Sequence, residues 1–195
     1  GHLAGNDTQG GNAVAVGFVA GQRIQGNGAV AVGNLAGNSG QGNSSVAVGS
    51  TAGQTDQGAN SVAIGFNAAT QSQFDQAIAI GARAGFDRQQ SLAVAIGIQA
   101  GQNTQQGGAI AIGATAGLNT QQEQAVAIGN AAGVDTQGDS AVAIGPNAGN
   151  SSQSANSVAI GNAAGQTTQG ASAVAIGNSA GNVGQGDNAI AIGSR

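Results

Sequence analysis

Glycine returns every sixteen residues, thirteen times, with no insertion or deletion, from Gly1 through Gly17 and Gly33 to Gly193. Numbering the unit from that glycine exposes more fixed places. Position 4 is Ala and position 9 is Gln in all twelve complete units, and position 15 is always Ala. Positions 14 and 16 are always Val or Ile, and position 5 is Gly in eleven units, with Ala69 the exception. The consensus reads G-x-x-A-G-x-x-x-Q-G-x-x-A-V-A-I. A period this strict gives each unit an equivalent place against the same neighbours. Gapless spacing argues against low-complexity disorder, and so does the scarcity of charge, only 6% of residues.

Sixteen residues are too few for a helical hairpin repeat, which needs roughly thirty or more. They suit one coil of a parallel β-solenoid. At about 3.3 Å per residue, a coil traces roughly 50 Å, and twelve coils stacked about 4.8 Å apart make a rod of roughly 58 Å. Gly at positions 1 and 5, and often at 10, leaves no stretch fit for a helix interior. The expectation is therefore an all-β chain, residues 1–195 forming one solenoid domain of about 12 coils.

Within the coil, the alternating, β-branched A-V-A-I of positions 13–16 predicts a strand. Gly at position 1 turns the chain, and positions 2–4 are expected as a second short strand. Positions 6–12, rich in Asn, Asp, Thr, Ser, Gln and Gly, read as an outer turn. Strand alternation puts 14 and 16 on one face and 13 and 15 on the other. The branched residues are expected inside, with the position-4 Ala facing them. Ala at position 15 then points outward, yet never varies. A strand apolar on both faces is normally covered on both. Ala31, Ala63, Ala95, Ala127, Ala159 and Ala191 are thus candidates for an interface with sister copies. The alternative is a compact filler on an exposed sheet.

Gln at position 9 is the one polar side chain that never varies. Gln41, Gln57, Gln105, Gln137 and Gln169 represent the row. They are expected to point inward, satisfying buried backbone groups or stacking as an amide ladder. A surface row binding a ligand is the competing reading.

The formal net charge is −4, and the only basic residues are Arg23, Arg83, Arg88 and Arg195. That is too little positive charge for nucleic acid. No apolar run approaches the ~18 residues of a membrane span, so no membrane contact is expected of this segment. There is no Cys, and the single His, His2, cannot build a triad. The acids Asp7, Asp56, Asp75, Asp87, Glu123, Asp135, Asp139 and Asp187 occupy variable positions and form no carboxylate ladder. Neither a phosphate-binding loop nor a calcium nonapeptide is present. No catalysis, metal or cofactor is expected.

"NSVAIG" at residues 60–65 and 156–161 carries a resemblance that extends over the whole chain. The array resembles the YadA-like head repeats of trimeric autotransporter adhesins, and is also similar to AIAIG arrays of phage and viral fibres. The resemblance implies a left-handed β-roll, a homotrimer along its length, and adhesion to host cells or extracellular matrix. It also implies a cell-surface location, anchored at the outer membrane through the parent chain. Two departures stand out: family heads repeat on a shorter unit, and no coiled-coil stalk or anchor is read here. The segment is therefore expected to be a slice of a longer array.

Three functions follow as expectations. The first is an adhesin head or surface fibre. The second is a passive structural spacer of a phage, virion or filament. The third is ice binding through the position-8 threonines Thr8, Thr104, Thr120, Thr136 and Thr168. Phe18, Val19, Phe66, Phe86 and Ile98 are candidates for an exposed patch at a subunit contact or ligand site.

Overall fold

The structure, a computed structural model, describes residues 1–194. It is all-β, with short strands in two parallel sheets, one of 12 and one of 11 strands. The first sheet contains positions 14–16 of every coil, beginning at Val14–Val16 and ending at Ile190–Ile192. The second contains positions 7–9, beginning at Arg23–Gln25 and ending at Val183–Gln185. Each strand pairs with its equivalent one coil away, so Val126↔Val142, Ala127↔Ala143 and Ile128↔Ile144 stand in register. The chain is a β-solenoid with a rise of one coil per sixteen residues.

The second strand is therefore not at positions 2–4. Those residues turn: the position-4 N–H bonds the position-1 carbonyl, as in Ala116 N to Gly113 O at 3.3 Å. Position 3 is left-handed throughout, for example Thr115 at φ 55° and Ala131 at φ 53°. A second turn closes positions 10–13, as in Ala125 N to Gln122 O at 3.3 Å. The sequence signal missed the second strand because its residues, such as TDQ, QSQ and SSQ, are mostly polar. The residue that strand buries is the Gln.

Turns are stacked as tightly as strands. Gly129 N donates to Ile112 O of the preceding coil at 2.8 Å, and Ala131 N donates to Ala114 O at 2.9 Å. Gly133 N donates to Ala148 O of the next coil at 3.0 Å. Position 1 must be Gly for the same reason. A Cβ at Gly129, whose φ is 131°, would stand 2.7 Å from the carbonyl carbon and oxygen of Gly145 in the next coil.

The core reverses the expected alternation. Ala31, Ala63, Ala95, Ala127 and Ala159 are fully buried, and away from the end coils so are the position-4 alanines and the Ala or Ser of position 13. Val and Ile of positions 14 and 16 point outward, and Ile64, Ile144, Ile160 and Ile176 keep 36–37% of their surface. The interior is too thin for a branched side chain. A Cβ at Gly133 would stand 3.3 Å from the Ala127 methyl and 2.8 Å from Gln137 Oε1. Alanine is what fits that gap, and close packing penalises anything larger.

Candidate functional site: two outward faces around an amide ladder

The inner glutamines join the two sheets. Gln137 Nε2 donates to Val126 O at 2.7 Å, Ala141 O at 3.1 Å and Gln153 Oε1 at 3.2 Å. Gln105 repeats this with Val94 O, Ala109 O and Gln121 Oε1 at 2.8, 3.1 and 3.1 Å. Gln169 does so with Val158 O, Ala173 O and Gln185 Oε1 at 2.8, 3.2 and 3.3 Å. Side chain bonds side chain without a break from Gln57 to Gln185. Gln41 lies below the first rung. It donates to Val30 O at 2.9 Å, while its Oε1 has no partner. Apart from the half-buried Gln185 of the last coil, these amides are buried, so they satisfy the core and are unavailable to a ligand.

The alanines proposed as an interface lie inside the coil instead. Ala127 packs within its own core, and Ala191, in the last coil, is half-buried. The face left for a neighbour is the outer side of the same strands. It carries two columns of Val and Ile, twelve of each position, with no charged residue between them.

The opposite face has no fixed outward residue. Position 8 points out as Ile24, Asp56, Arg88 or Thr136, all exposed. In eight coils it is left-handed, as at Ile24 (φ 50°) and Asp56 (φ 50°). Thr104, Thr120 and Thr136 stay extended and stand in register, but the row is three threonines long. Thr168, at φ 51°, lies two coils beyond it.

The expected apolar patch is not one surface. Phe18, Phe66 and Ile98 are 52%, 56% and 60% exposed, all at position 2, but Asn34, Ser50 and Ala82 separate them along the column. Val19 is buried, Phe86 is half-buried, and Phe18 stacks on His2 with centroids 5.9 Å apart. Carboxylates and amides at position 11 support the turns: Asp75 Oδ1 accepts from Ala59 N and Asp187 Oδ1 from Ala171 N, both at 2.8 Å. Among the described residues, no three His, Cys, Asp or Glu gather as metal ligands. Nor, among the described residues, is any helix long and apolar enough to cross a membrane.

Architecture and faces together define a parallel β-solenoid of sixteen-residue coils, with one uniform aliphatic face and one variable polar face. No family model, curated protein or solved structure matches the chain.

Proposed function

We propose that the chain is the rod of an extracellular adhesin head or surface fibre, whose copies associate side by side as a homotrimer through the Val/Ile sheet. The observation that carries this is the outward aliphatic face. Twelve strands about 4.8 Å apart and three residues wide give a strip of roughly 58 by 10 Å. Two such strips in contact bury roughly 1,200 Å², at the scale of a specific interface. Exposed apolar patches of this size mark interaction surfaces. The polar face then looks outward, toward host cells or matrix, and the rest of the parent chain tethers the rod to the surface.

Light scattering tests the assembly. The expected mass is three times the 18.3 kDa of one chain. A Val126→Lys, Val142→Lys double variant is expected to return the single-chain mass with β circular dichroism intact. A monomeric parent chain would remove the self-association. Beads coated with the rod and panned over host cells or matrix test adhesion. Beads that never bind would favour a passive spacer, a reading supported by the scattering of Phe18, Phe66 and Ile98 into separate sites.

A further inference from the structure

In an array this regular, local exceptions are where function is to be sought. Three fall together on the polar face. Position 8 loses its side chain at Gly40, whereas ten of twelve coils have one. Position 8 is acidic only at Asp56, and position 10 is aromatic only at Phe74. With Gly58, Ser72 and Asp75 they surround an open hollow of about 340 Å³.

The parts have distinct chemistry. Gly40 and Gly58 contribute no side chain to the hollow. Phe74 is 44% exposed, a large apolar surface left to water. Asp75 is held in place, since its Oδ1 accepts the Ala59 N–H at 2.8 Å. Asp56 leans across its neighbour: a Cβ on Gly40 would stand 2.9 Å from Asp56 Oδ1. Ser72 adds a hydroxyl to the wall.

We propose that this hollow binds a neutral saccharide unit. The proposal rests on the adhesin reading and gives it a ligand class. Ionised carboxylates only accept hydrogen bonds, so they select a ligand rich in donors. Sugar hydroxyls supply such donors, and bonds to carboxylate are stronger than neutral ones. The apolar C–H face of a pyranose suits an exposed phenyl ring, which offers hydrophobic area beside polar groups. An anion is repelled by the two aspartates. A quaternary ammonium is best recognised in a cage of several rings, and this hollow has one. Its volume lies at the small end of ligand sites, about 300–1,000 Å³. The same lane carries a control: a second hollow, lined by Thr136, Gly138, Asp139 and Ser152, has no aromatic wall.

The chain has four Phe, so fluorophenylalanine labelling gives four ¹⁹F signals to follow. The probes are the methyl glycosides of glucose, galactose, mannose and N-acetylglucosamine, titrated into the full chain. At least one is expected to shift the Phe74 signal and leave Phe18 and Phe66 unmoved. Asp75→Asn, which keeps an acceptor for Ala59 N, should weaken that binding about tenfold. Phe74→Gly restores the residue that position 10 carries in seven other coils, so it should fold. By calorimetry it should also bind about tenfold more weakly. The proposal is overturned if no glycoside moves Phe74, or if affinity survives both substitutions. It is equally overturned if N-acetylarginine amide moves Phe74 while the glycosides do not, which would assign a cationic partner. Silent glycosides with bead adhesion retained sink this site alone. Glycoside binding without bead adhesion sinks the adhesin reading alone.

Discussion

The Val/Ile sheet and the glutamine sheet stack at the same period, yet they tolerate change very differently. In the first, every strand has three residues, inner Ala always pairs with Ala, and on the outside only Val exchanges with Ile. In the second, strands shorten to two residues at Thr104–Gln105, Thr120–Gln121 and Thr136–Gln137, and the outward positions take acids, amides, Arg and Gly. What the two sheets share is the inward residue, Ala in one and Gln in the other. Packing against the opposite wall fixes what faces in. The outer side of the glutamine sheet faces water, so it is free to vary. The outer side of the Val/Ile sheet varies only between Val and Ile, although nothing in a single chain covers it. That asymmetry between two exposed surfaces is the main support for a partner on the first.

Substitutions can break this contrast, beginning with the largest expected effect. Gly129→Ala should cost about 3 kcal/mol or more, because it combines left-handed strain with a backbone clash. A urea midpoint within error of the parent would refute the stacked-glycine geometry. Gln121→Leu should cost about 2–3 kcal/mol by leaving buried backbone and amide groups unpaired. Gln25→Leu should cost about half as much, since Gln25 Oε1 has no ladder partner to lose. Equal losses at the two sites would show that the side-chain ladder adds nothing. Ile128→Ala, on the outer aliphatic face, should cost about 1 kcal/mol in an isolated chain. In the assembled rod the loss should grow with protein concentration, which a dilution series of melting temperatures would detect. Thr136→Ala, outward on the polar sheet, should stay within about 0.5 kcal/mol of the parent by the same urea assay.

Much of this architecture was readable from spacing alone. The sixteen-residue period gives the solenoid, the A-V-A-I strand and the number of coils, because stacking requires equal units. The invariant Gln marks an inner residue, because a solvent-facing amide has no reason to stay fixed. Two features were hidden. Alternation separates faces but does not say which is inner, and the habit of placing the larger side chain inside fails when the walls are this close. The contact that sets the wall spacing lies between Ala127, Gly133 and Gln137, residues that look unremarkable one at a time. The Phe74 hollow was equally invisible, since it draws on Gly40, Asp56 and Phe74 from three successive coils. Phe86 and Val19 looked like surface residues because their positions vary, yet turn geometry partly or wholly covers them.

The hydrogen bonds that tie each turn to the turns above and below have a consequence for how such a chain can change length. One extra residue anywhere in a coil would shift Gly129-type contacts, the amide rungs and both registers together. A whole extra coil would shift none of them. Rods of this kind can therefore lengthen or shorten by sixteen residues at a time, a step that DNA duplication supplies directly. Length then becomes a quantity that selection can set one coil at a time, without redesigning any part.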